Sequence, residues 1–140
     1  MSLYMLDTDI CSYIIRNKPP EVRSRMNAIP LMDQCISVVT LAELLFGVKR
    51  STNANVNRAV VDSFVSHLNV LDWDGEAAEH YGDIRTVLQS QGTPIGAMDV
   101  MIAAHARSLG AVIVTNNRRH FQRVPGLVIE TWVSEPLPSH

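Results

Sequence analysis

Cysteine, lysine, net charge and long apolar runs are all scarce in this chain, and each shortage removes a class of function. The two cysteines, Cys11 and Cys35, have neither C-x-x-C nor zinc-ligand spacing, so buried free thiols are expected in place of a disulfide or a metal knuckle. A formal charge of -2 gives no global electrostatic pull toward nucleic acid. No apolar run approaches the roughly 20 residues that cross a bilayer. The first six residues are too short, and lack the basic flank, for a signal peptide, so the cytoplasm is the expected compartment and no membrane partner is expected. Seven glycines, seven prolines and no internal repeat exclude collagen-like and low-complexity chains. With 140 residues, one domain over 1–133 is expected, followed by a poorly ordered tail over 134–140 that carries Pro136 and Pro138.

What remains is a core-former, 46% hydrophobic, whose charge is unevenly spread. Ten of the 12 basic residues are arginine, and no Asp or Glu falls between Asp99 and Glu130, a window holding Arg107, Arg118, Arg119 and Arg123. Arginine is the better fork for phosphate, so this window is either a polyanion contact or a solvated positive face. Short apolar runs at 3–6, 35–39, 70–73 and 111–114 suit buried strands. Between them, 10–16, 40–50, 56–68, 76–90 and 99–109 carry apolar residues at helical spacing. Nearly all-apolar strands alternating with helices predict an α/β three-layer domain, a mainly parallel sheet of four to five strands with helices on both faces.

Functional groups of such a sheet gather beyond the carboxyl ends of its strands. Asp7-Thr8-Asp9 follows the first run, Thr40-Leu41-Ala42-Glu43 the second and Thr115-Asn116-Asn117 the fourth, while Asp99 opens the helix leading into that fourth run. Asp7, Glu43 and Asp99 would then converge. Each also has a purely structural use: Asp7 and Asp99 as residues favoured at helix starts, and Glu43 as the partner of Thr40 in a capping box. Close carboxylates repel, however, and are usually kept together by a cation or by protonation. Hard oxygen donors without a His or Cys cluster point to Mg²⁺, with Mn²⁺ as substitute, and to metal-assisted hydrolysis of a phosphodiester. Asp7-Thr8-Asp9 also fits the D-x-D start of a haloacid dehalogenase-type phosphatase, but that fold needs a later lysine and none follows Lys49.

Four motifs in order carry a specific resemblance. Met5-Leu6-Asp7-Thr8-Asp9, Ser37-Val38-Val39-Thr40-Leu41-Ala42-Glu43-Leu44-Leu45-Phe46-Gly47, Gly92-Thr93-Pro94-Ile95-Gly96-Ala97-Met98-Asp99-Val100-Met101-Ile102-Ala103 and Thr115-Asn116-Asn117-Arg118-Arg119-His120-Phe121 together resemble PIN-domain ribonucleases, and more narrowly the VapC toxins of toxin-antitoxin pairs. The resemblance implies a PIN domain over 1–133 and an Mg²⁺-dependent endoribonuclease acting on structured RNA, commonly tRNA. It marks Asp7, Glu43 and Asp99 as catalytic metal ligands. It also implies a VapB-type antitoxin, a homodimer, and operator DNA reached only through the antitoxin complex. Asn117 departs from the pattern, since many members carry a fourth acid there; the loss of one charge favours a single Mg²⁺, and a decayed, non-catalytic binding module is the alternative.

The surrounding residues have supporting readings. Thr8, Asp9, Thr115, Asn116 and Asn117 are expected to support the site, and Arg118, Arg119 and His120 are candidates for RNA contact. His120 is otherwise an ordinary surface histidine. Met5, Met98 and Met101 read as core fillers, Trp73 and Trp132 as anchors of strand ends, and His105 as lying on a different helix face from Asp99. The helices over 40–50 and 56–68 are apolar on nearly all sides, which requires burial by the core or by a partner.

Overall fold

The structure, a computed structural model, describes residues 2–133, so the expected tail lies outside the described residues. Five parallel strands, β1 (Tyr4–Leu6), β2 (Gln34–Ser37), β3 (Asn69–Leu71), β4 (Val112–Val114) and β5 (Val128–Glu130), form one sheet in the order β3-β2-β1-β4-β5. Alternate residues of the central strands feed two separate cores. Met5, Cys35 and Ile113 pack with α5 (Gly75–Ser90), α6 (Ala97–Ser108) and α7 (Arg118–Phe121). Leu6, Ile36 and Val114 pack with α1 (Thr8–Arg16), α2 (Pro20–Asn27), α3 (Val38–Arg50) and α4 (Ala54–Val65). The three-layer α/β expectation holds. Both cysteines are free and buried, and burial pushes the Cys35 thiol up to about 12.

The chain runs outward from β1 through β2 to β3, then returns past β1 to β4 and β5. The order therefore reverses between β1 and β4, the place in an open parallel sheet where a crevice opens beyond the strand ends. Asp7 and Thr115, the residues directly after those two strands, stand at that crevice. The Asp7 N–H donates to the Val114 carbonyl at 3.0 Å, which fixes where the chain leaves the sheet.

Several local expectations are corrected. The second strand ends at Ser37, whose hydroxyl caps α3 by accepting the Val39 N–H at 3.1 Å. The capping box is thus absent: Thr40 lies inside the helix, fully buried, and Glu43 is released from a capping role. Met98 is not a core filler but stands 40% exposed on the first turn of α6. α2 has no counterpart among the helices expected from the sequence; Pro20 occupies its first turn, where a missing N–H costs nothing. The helix pair α3 and α4 splits its apolar surface: Leu44, Val48 and Val61 are buried, while Phe46, Val56 and Val60 face outward. No helix among the described residues is long and apolar enough to cross a membrane.

Candidate active site

Asp7 is the N-cap of α1. One carboxylate oxygen accepts the Ile10 N–H at 2.9 Å and the other accepts the hydroxyl of Thr115. The capping reading is correct but incomplete, because the second oxygen and its environment do something a cap does not need. Asp7 is only 4% exposed. Burial drives its pKa up to about 7; the Thr115 and Ile10 hydrogen bonds oppose the shift, and the charges of Asp9 and Asp99 add to it. A surface cap would feel none of that. Among the described residues, no lysine, arginine or histidine is ion-paired with Asp7.

Asp99 occupies the third position of α6, half-buried at the same crevice. Its pKa is raised by burial and by Asp9, while His120 opposes the shift through its hydrogen bond and charge. The Nδ1 of His120 lies 3.6 Å from the Asp99 carboxylate and 2.8 Å from the amide of Asn117. The Asn117 amide nitrogen donates to that ring nitrogen. The Asn117 N–H in turn donates to Thr115 Oγ1 at 2.8 Å, so a polar chain runs from Asp7 through Thr115, Asn117 and His120 to Asp99. The inward role of His120 was not read from the sequence, although its spacing of three from Asn117 across the first turn of α7 was the available signal.

On the other side Thr8 donates its hydroxyl to Glu43, tying α1 to α3. Asp9 is exposed beside them and lines a groove of about 860 Å³ that also takes in Glu43, Tyr13, Arg16, Phe46 and Arg50. Asn116 points away from the acids, donating to the Tyr13 hydroxyl at 3.2 Å, and Arg118 and Arg119 are exposed on α7. The structure couples Asp7, Asp9 and Asp99 electrostatically and brings Thr115, Asn117 and His120 against them. Glu43 joins through Thr8. Among the described residues, no three His, Cys, Asp or Glu side chains stand close enough to hold one ion as they are placed.

A crevice at the switch point of a parallel sheet, lined by carboxylates and led by an N-capping aspartate, agrees with the match of residues 4–127 to the PIN domain family. The chain belongs to the PIN-domain family. Within it the chain is similar to the tRNA(fMet)-specific endonuclease VapC of Shigella flexneri, with 52% identity covering 94% of this chain and 99% of that protein. It is 44% identical to ribonuclease VapC2 of Haemophilus influenzae, covering 95% and 100% of the two chains. Among solved structures, the DNA-bound VapBC of Salmonella typhimurium superposes with a TM-score of 0.89 at 49% identity, over 94% of this chain and 99% of that one. The VapBC2 of Rickettsia felis, bound to a promoter fragment, gives 0.87 at 37%, over 93% and 98%. This PIN domain is therefore a VapC-type chain, and its relatives are nucleases.

Proposed function

We propose that this PIN domain is the endoribonuclease toxin of a VapBC pair and that it cuts tRNA, with initiator tRNA the first candidate because its relatives carry that specificity in their names. The observation that carries the reading is Asp7, buried with its ionisation suppressed and two further aspartates adding to the suppression. A cation is the natural partner for such a group. The donor set is made of carboxylate oxygens with amide and hydroxyl neighbours, which fits Mg²⁺ or Mn²⁺ better than zinc. Asp7, Asp99 and Glu43 would hold the ion, with Asp9 adding negative charge. Such a cation, when bound, supplies water activation and charge neutralisation at a phosphodiester.

The chain's own residues supply the rest. Thr115 fixes the Asp7 carboxylate, Thr8 fixes Glu43, and Asn117 with His120 orients Asp99. Arg118 and Arg119, exposed next to the crevice on a stretch without acids, are placed to meet backbone phosphates. Incubating a total tRNA pool with purified, antitoxin-free protein tests the reading, with Mg²⁺ or EDTA and an Asp7→Ala control. Fragments that need Mg²⁺ and vanish in the control are expected; bound but uncut RNA would favour a binding module with a decayed site.

The amide at Asn117 yields a second expected outcome. Asn117→Asp adds a negative charge next to His120 and Asp99 and is expected to tighten Mg²⁺ binding several-fold in a calorimetric titration. Equal or weaker affinity would mean that position 117 serves only to hold His120.

A VapB-type antitoxin is proposed as partner, since the neighbouring solved structures are VapBC complexes. The groove beside Asp9 and Glu43 shares Ile15 and Val60 with a second groove of about 880 Å³ lined by Ile14, Met26, Leu31, Val56 and Phe64. One continuous apolar track with arginines at its acidic end suits an amphipathic segment. Contact with operator DNA is assigned to the antitoxin complex, the homodimer remains part of the proposal, and the cytoplasm is the proposed compartment.

A further inference from the structure

His105 is 2% exposed and takes no part in the crevice, yet it links the two helices that carry Asp99 and Glu43. Its Nδ1 lies 2.8 Å from the hydroxyl of Ser37, which is fully buried and caps the first turn of α3. The backbone carbonyl of Asp72 holds the ring as well. Burial lowers the pKa of His105, so the ring is neutral in the folded protein; nearby Asp72 and Asp74 only partly oppose this. With one ring N–H on the Asp72 carbonyl, Nδ1 is an acceptor. The Ser37 hydroxyl then donates to Nδ1 while its oxygen accepts the Val39 N–H, so the hydroxyl is satisfied both as donor and as acceptor. Trp73 adds a parallel tie from the same loop, donating to the Met101 carbonyl of α6 at 2.9 Å.

A buried histidine with full hydrogen bonding could serve stability alone. Its position argues for more. Ser37 immediately precedes the turn of α3 that leads to Glu43, and His105 lies on α6 six residues beyond Asp99, about 9 Å along the axis. Val39 of α3 and Val100, Ala103 and Ala104 of α6 belong to one buried core cluster, side chains that pack without directional bonds. The His105–Ser37 bond is a directional, buried tie between the two helices.

We propose that His105 and Ser37 form a positioning pair that sets the separation of Asp99 from Glu43 and thereby governs divalent-metal affinity and the rate of RNA cleavage. The proposal rests on the metal-site reading above. Neither residue touches substrate.

Electron paramagnetic resonance titration of the full chain with Mn²⁺ alone tests it, alongside melting curves and cleavage at low and saturating Mg²⁺. His105→Leu is expected to weaken Mn²⁺ binding at least about tenfold, with cleavage largely restored at saturating Mg²⁺. His105→Asn, whose amide can reach Ser37, is expected to recover most of the affinity. Ser37→Ala should weaken Mn²⁺ comparably, and adding His105→Leu to it should weaken binding no further. Variants that melt earlier but bind Mn²⁺ within twofold of the unaltered chain would overturn the pair, as would additive losses in the double variant. If His105→Leu does not fold, unchanged Mn²⁺ affinity in Ser37→Ala would overturn it equally. An unaltered chain that takes up no Mn²⁺, or takes up as much in Asp99→Asn, sinks the metal site itself and this proposal with it.

Discussion

Asp7→Asn is expected to abolish RNA cleavage, by at least about 1000-fold, and to stabilise the metal-free protein above pH 7. The two effects have one cause. Asn keeps the shape of Asp: its carbonyl oxygen can still accept the Ile10 N–H, and its NH₂, standing where the second oxygen was, can donate to the Thr115 hydroxyl oxygen, so the cap of α1 survives. What disappears is a buried negative charge. In the folded chain Asp7 titrates at about 7, against 3.8 as the ordinary value, so the folded state binds a proton that the unfolded state releases. Stability from this group is fully present below about pH 4 and is lost as pH rises toward and through 7, a drain on the order of 4 kcal/mol at most. The variant has no such loss. In the absence of metal its melting temperature should exceed that of the unaltered chain by several degrees at pH 8, and the gap should narrow toward pH 5. Added Mg²⁺ should raise the melting temperature of the unaltered chain and leave the variant unmoved. A variant that melts lower at pH 8 would show that Asp7 acts mainly as a cap.

That dual character of Asp7 also marks how far the sequence could be read. The layered fold was legible because apolar strand residues alternate with helical spacing, and the sites beyond the strand ends follow from parallel topology. Asp7, Asp99 and the Thr115 turn are the residues that this topology places there. Glu43 was legible as a residue but not in its bonding: Thr40-x-x-Glu43 satisfies a local capping pattern, and only the register of β2 shows that Ser37 ends the strand and takes the cap first. β5 was signalled only by Trp132 as the anchor of a strand end, without a residue range, because it is short, edge-lying and half-exposed. The Ser37–His105 bond joins residues 68 apart and was invisible to any local pattern. Long-range hydrogen bonds carry no periodicity. They become readable only once the sheet order is known.

Val60→Asp is expected to weaken binding of the proposed VapB partner at least about 100-fold while leaving RNA cleavage unchanged. Val60 is the residue common to both halves of the apolar track, together with Ile15, and lies 41% exposed on α4. An aspartate there would be desolvated by any segment that fills the track, and two arginines lining the same groove, Arg16 and Arg50, are already turned over the rings of Tyr13 and Phe46. A few kcal/mol of unpaired charge accounts for the expected factor. The fold should tolerate the change, because the buried face of α4 is carried by Val61 and not by Val60. Calorimetric titration with VapB, and cleavage assays with and without it, separate the possibilities. Cleavage that VapB no longer suppresses would place the antitoxin in this track. Undiminished suppression would place the antitoxin outside this track.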